Sequence, residues 1–166
     1  MEPIWSPSPE RIARAKLTRF MNFVRERHRA PLLDYAALHR WSIEFPENFW
    51  RALWDFCEIR AQTQATQILE DGNRMPGARW FVDARLNYAE NLLRRDDDHP
   101  AIIFHNERGQ RREISRRQLR RETARIADGL RAAGVQPGDR VAAYLPNIPE
   151  TVIAMLAATS LGAIWS

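Results

Sequence analysis

The sequence predicts an α/β fold in two parts: a helical leader over residues 1–95, then, from 96 to Ser166, the first βαβ elements of a larger parallel-sheet domain, incomplete within this chain. Three observations predict it. Apolar residues in the first half recur at helical spacing behind capping residues. After His99 the pattern changes to short β-prone runs that alternate with helices. Between the two lies the charged run RRDDDHP, which marks the join.

Ser8 followed by Pro9 starts the first helix, since serine caps free amides and proline at the first helical position gives up no hydrogen bond. That helix presents Ala13, Leu17, Phe20, Met21 and Val24 on one face. Asp34 opens a second helix carrying Tyr35, Leu38 and Trp41. Pro46 opens a third carrying Phe49, Leu53, Phe56 and Cys57, with Trp50 and Trp54 on a neighbouring stripe that points to burial on more than one side. From Gln62 to Arg79 the pattern weakens, and Asp71, Gly72, Asn73, Pro76 and Gly77 read as loop. Leu86, Ala89, Leu92 and Leu93 predict a short helix before the join.

Beyond the join, AIIFH and RREIS flank a turn at Gly109 and predict a hairpin. Ser115 to Gln118 is a capping box for a helix whose inner face is Leu119, Thr123, Ile126, Leu130 and Ala133, with Gly134 as its left-handed stop. Val141 to Leu145 is the next strand, Pro149 opens a helix running to about Leu161, and residues 163–166 begin another strand. A parallel sheet is covered on both faces, so that last apolar strand needs neighbours and a covering layer. The chain is therefore expected to be a fragment of a larger protein.

Composition narrows the function classes. The formal charge is +4, carried by 24 arginines and one lysine, Lys16. A single cysteine, Cys57, permits no internal disulfide and no cysteine-based zinc site, which fits a reducing, cytoplasmic setting. The amino terminus lacks a secretory signal pattern. The longest apolar segment, Thr151 to Trp165, falls short of the roughly 20 residues a membrane helix needs.

Several stretches imitate chemical motifs. Gly72 to Arg79, GNRMPGAR, has the glycine spacing of a phosphate loop but Ala78 and Arg79 where lysine and a hydroxyl belong. His28, His39, His99 and His105 show no metal-ligand spacing, and Asp96–Asp98 beside His99 read as an acidic linker rather than a metal cluster. Between Arg108 and Arg125 stand eight arginines, and the Arg-rich helix 116–133 could track phosphates as a basic nucleic-acid-binding module. The same arginines also suit the solvated face of an amphipathic helix, and no aromatic is interleaved for base stacking.

Taken together, IWSPSPERI, the segment from Phe49 to Phe56, MPGARWF with LNYAENLL, and GVQPGDRVAAYLPNIPETVIAMLAATSLGAIWS resemble the amino-terminal end of the acetoacetyl-CoA synthetase family. That family belongs to the adenylate-forming, AMP-binding acyl-CoA synthetases. The resemblance implies an N-terminal helical region (1–95) followed by the beginning of the AMP-binding domain (96–166). For the full-length parent it implies an acetoacetate-CoA ligase using ATP, Mg2+ and CoA; acetyl- or propionyl-CoA synthetase is the alternative within the superfamily. It also implies that the lysine-bearing phosphate loop, the adenine and metal contacts, the ribose aspartate and the catalytic lysine all lie beyond residue 166. No catalytic, cofactor-binding or metal residue is therefore assigned, and the fragment is expected to be inactive and to bind none of these cofactors, nor nucleic acid or membrane.

Overall fold

The computed structural model describes residues 4–166; Met1–Pro3, part of the terminus read above for a secretory signal, lie outside the described residues. The fold is mixed α/β with three two-stranded sheets among the described residues. It divides into two compact units. One takes the chain through Ile59 together with Thr63–Ala84; the other takes Arg60–Gln62 and Arg85–Ser166, so unit membership alternates along the chain.

The first unit opens with α1 (Pro9–Arg14) and α2 (Lys16–His28). Ser8 Oγ accepts from the Arg11 N–H at 3.3 Å, the expected cap. The single leader helix read from the sequence is broken, however. Ala15 is extended at ψ 141°, and the Ile12 carbonyl accepts both the Ala15 N–H and, at 2.6 Å, the Thr18 hydroxyl. A side chain competing for a helix carbonyl ends the helix locally, which a pattern of apolar spacing does not register. Ala13 and Leu17, expected on the inner face, are exposed, while Phe20 and Val24 are buried. Arg29 ends α2 in the left-handed conformation, two residues before Pro31.

Asp34 caps α3 (Tyr35–Glu44) by accepting from Ala37 N–H at 2.8 Å, and α4 (Pro46–Phe56) starts on its proline. Phe20, Val24, Leu32, Leu38, Trp41 and Ala52 form the core of this unit. Phe20 meets Phe49 and Phe56 edge-on, at 5.9 and 5.2 Å between ring centres, the arrangement aromatic quadrupoles favour.

The second stripe of α4 explains an element missing from the sequence reading. Within the stretch where the pattern weakens lies β1 (Gln67–Glu70), which pairs antiparallel with β2 (Arg79–Val82) at its end, Leu69 opposite Trp80. Trp50 packs on Trp80 at 5.5 Å, and Trp54 stacks on Phe81 at 4.5 Å and 28°. Four-residue strands carry too few residues for a periodicity to show; aromatic contacts to α4 hold them. Phe81 does this with φ at +47°, a conformation costing an ordinary residue about 1–2 kcal/mol, which burial against the Trp54 indole offsets.

The second unit has α5 (Tyr88–Leu92), a hairpin of β3 (Pro100–His105) and β4 (Arg111–Ser115), α6 (Arg116–Ala132), β5 (Arg140–Val141), α7 (Pro149–Ser160) and β6 (Ile164–Trp165). The hairpin pairs Ile102 with Ile114 and turns at Gly109, φ +74°. Ser115 caps α6 by accepting from Gln118 N–H at 3.2 Å. Of the inner face read for α6, Leu119 and Thr123 are buried and Ala133 is exposed. The buried set shared by α5, the hairpin, α6 and α7 is Ala89, Ile114, Leu119, Ile153 and Leu156. Ala157 and Ala158 are fully buried as well; their small side chains let α7 lie close against its neighbours.

Across α7, β5 and β6 run parallel with Arg140 opposite Ile164 and Val141 opposite Trp165. This is the expected βαβ connection. The ladder is shorter than read: β5 covers 140–141 rather than 141–145, and its last bond runs from Ala143 N–H to Ser166 O at 2.9 Å. Strand character needs a hydrogen-bonded neighbour, and beyond Ala143 none lies alongside among the described residues.

Candidate functional site

Each stretch that imitated chemistry has a definite place. The glycines of GNRMPGAR serve the hairpin turn between β1 and β2. A Cβ on Gly72 would come within 2.5 Å of Leu69, and Gly77 takes φ +134°. Arg79, where a phosphate loop would need a hydroxyl, pairs with Glu70 at 2.5 Å. The histidines are dispersed. His28 lies against Trp41, His39 stacks on Tyr35, His105 pairs with Arg111 in the hairpin, and His99 Nδ1 sits 3.3 Å from Asp97.

The acidic run and the arginine helix, weighed separately from sequence, are brought together. Asp97 accepts from Arg116 Nη1 at 2.8 Å and from the His99 backbone N–H at 3.1 Å. Arg117 lies 3.2 Å from Asp98 and 3.6 Å from Asp96, and Arg120 lies 3.7 Å from Asp96. Arg116 and Arg117 N–H groups donate to His99 and Asp97 carbonyls at 3.0 Å. The three carboxylates thus offset the positive charge on the first turns of α6. No group of three or more His, Cys, Asp or Glu able to hold a metal occurs among the described residues.

Partial desolvation pushes the Asp97 carboxyl up, but the Arg116 hydrogen bond, the His99 N–H and the two positive charges together hold it below the usual aspartate value. Its native pKa lies below its unfolded one, so its stabilisation is fully present well above the unfolded value and is lost as the pH falls through the native value. The stability difference between wild type and Asp97→Asn is expected to be constant near neutrality and to shrink as acid protonates the native carboxyl. Urea melts at each pH check this, and a difference that grows on acidification would contradict it.

In parallel α/β sheets, ligand chemistry gathers at the carboxyl ends of the strands. Here those ends are Ala142 to Leu145 and Ser166, and Tyr144 and Leu145 are exposed. Tyr144 is the sole titratable side chain among these residues, so this edge presents backbone and apolar surface.

The sequence reading missed two residues that organise the unit. Asn87 caps α5, its Oδ1 accepting from Glu90 N–H at 3.1 Å, and its Nδ2 donates at 2.9 Å to Thr159 O near the end of α7. Asn91 Oδ1 accepts from the Arg60 N–H and its Nδ2 donates to the Arg60 carbonyl, both at 2.9 Å. An asparagine just before Tyr88 carries a visible capping signal; its second bond, 72 residues away, carries none.

Residues 35–92 match the family described as acetyl-coenzyme A synthetase N-terminus, and residues 89–166 match the AMP-binding enzyme family. An acetoacetyl-coenzyme A synthetase of Rhizobium meliloti (strain 1021) is 42% identical over 99% of this chain and 25% of its own length. A malonamoyl-CoA synthetase of Penicillium aethiopicum is 40% identical over 89% of this chain and 21% of its own. A solved acetoacetyl-CoA synthetase from Streptomyces lividans superposes on the whole chain with a TM-score of 0.89 at 44% identity, over 26% of that protein. The chain spans about a quarter of the length of the relatives it matches. Residues 35–166 thus match these two families in succession, and from end to end the fold is similar to that of a solved acetoacetyl-CoA synthetase.

Proposed function

We propose that this chain is the N-terminal scaffold of an acetoacetate-CoA ligase. In that reaction an acetoacetate oxygen attacks the α-phosphate of ATP, pyrophosphate leaves, and the CoA thiol then displaces AMP to give acetoacetyl-CoA. A carboxylate becomes a usable acyl donor only once its oxygen can depart on phosphate, so such an enzyme acts by positioning reactants and balancing phosphate charge. The observation that carries the reading is end-to-end likeness to acetoacetyl-CoA synthetases. Mg2+ would complement the ATP phosphates, but Asp96–Asp98 are engaged by guanidinium groups and do not fit it; no step is assigned to a metal on this chain. The same ion pairs hold Arg116, Arg117 and Arg120 on the helix that a nucleic-acid interface would use.

A second reading of the acyl group has its own support. Acetoacetate and malonamate share a carbonyl at C3 of the acid and differ in its substituent, a methyl against an amino group, and relatives named for each match this chain almost equally. The polypeptide of the intact gene, assayed with ATP, CoA and a panel of acetoacetate, malonamate, acetate and propionate, is expected to favour the two 3-carbonyl acids, acetoacetate foremost. Preference for acetate would overturn the assignment. The 166-residue chain alone is expected to form no acyl-adenylate, and turnover by it would overturn the scaffold role.

A further inference from the structure

A cleft of about 320 Å3 lies on the second unit where α5, β3, α6 and α7 converge. Its walls are apolar: Leu92 and Leu93 from the end of α5, Ile102 from β3, Leu119 from α6, and Val152 and Leu156 from α7. Leu119 and Leu156 are buried and Leu92 is exposed, so apolar surface runs along the cleft from the core of the unit out to water. Two guanidinium groups, those of Arg95 and Arg116, also line it, and no carboxylate does. The two arginines are not equivalent. Arg116 donates to Asp97 at 2.8 Å, so its charge is matched within the chain. Arg95 is exposed, and its side chain has no hydrogen-bond or ion-pair partner among the described residues. The cleft therefore presents apolar walls and one unmatched positive charge.

We infer that this cleft binds a straight-chain carboxylate of medium length, its tail against the aliphatic walls and its carboxylate on the Arg95 guanidinium. Charge complementarity selects the occupant: one negative charge meets the one guanidinium left unmatched, while a polyanion would find the second already held by Asp97. A guanidinium fork receives a carboxylate through two parallel N–H to oxygen bonds, which fixes the head and leaves the tail to the apolar surface. The volume stands at the lower end of the roughly 300–1,000 Å3 typical of small-molecule sites. Each chain carbon fills about the 30 Å3 that one water occupies in the liquid, so roughly eight carbons with the carboxylate fit the cleft. The inference does not rest on the acyl assignment, since it uses only side chains of this unit.

Calorimetry and thermal melts of the 166-residue chain with sodium octanoate, against sodium chloride at matched ionic strength, test it. Saturable binding with submillimolar dissociation is expected, and hexanoate should bind about tenfold more weakly for the loss of two buried methylenes. Octan-1-ol, with the same tail and no charge, should also bind about tenfold more weakly than octanoate, and Arg95→Gln should remove that difference. Arg95 is at the surface, so this variant keeps the fold. Ala101→Trp sets an indole on a β3 residue that lines the cleft and is itself exposed, and it should abolish binding without disturbing the core. No saturable binding would overturn the inference. So would equal affinity for octanoate and octan-1-ol, which would leave Arg95 without a part, or binding undiminished in both variants, which would put the tail on another apolar surface.

Discussion

Leu156→Ala is expected to destabilise the second unit by about 2–5 kcal/mol, a large part of the roughly 5–15 kcal/mol that holds a typical domain folded. Leu156 is 1% exposed and lies at the centre of the set formed by Ala89, Ile114, Leu119 and Ile153. Truncation removes the transfer energy of three carbons, a methine and two methyls, and leaves a void. The fully buried Ala157 and Ala158 beside it have no side chain long enough to fill that void. Leu92→Ala is the matched control, since Leu92 is 53% exposed on α5 and its truncation should cost under about 1 kcal/mol. Urea midpoints with unchanged slope would report the two values, and similar losses at both positions would refute the core assignment.

Asn87 supplies the second large effect. Asn87→Ala removes the α5 cap, worth about 1 kcal/mol, and the donor to Thr159 O, worth about another 1 kcal/mol. Two further variants separate these contributions. Asn87→Ser keeps an oxygen for the cap and loses only the tie to α7. Asn87→Asp keeps the cap too, but sets a carboxylate against the end of a helix that already carries about half a negative charge. At neutral pH the order of stability should be wild type, serine, then alanine and aspartate together, with the aspartate variant regaining ground as acid neutralises it. An aspartate variant as stable as wild type would show that the tie to α7 contributes nothing.

Much of this architecture was legible because it is written in neighbouring residues. Ser8, Asp34 and Ser115 cap helices that begin where their sequence signals stand, and Pro9, Pro46 and Pro149 occupy first helical positions. Gly109 and Gly134 take the positive φ their turns demand. What escaped depends on partners distant in sequence. The β1–β2 hairpin needs the indoles of α4, Asn87 needs α7, and the Asp96–Asp98 carboxylates need arginines about twenty residues on. The break at Ala15 escaped for the opposite reason: one hydroxyl, that of Thr18, decides it against an unbroken apolar stripe. As for chemistry, the imitation of a phosphate loop fails on Ala78 and Arg79, both visible in the sequence.

The alternation of the chain between units constrains how such a protein can be recombined. Arg60–Gln62 is bound into the second unit through Asn91 and through the Gln62 N–H to the Arg85 carbonyl at 2.7 Å, yet Thr63–Ala84 returns to the first. A single genetic crossover at residue 85 would strip the downstream module of an anchoring tripeptide, and one at residue 60 would carry off the upstream module's hairpin. Chimeras joined at one seam should inherit mismatched contacts, whereas exchanges that transfer Arg60–Gln62 along with 85–166 keep both bodies whole.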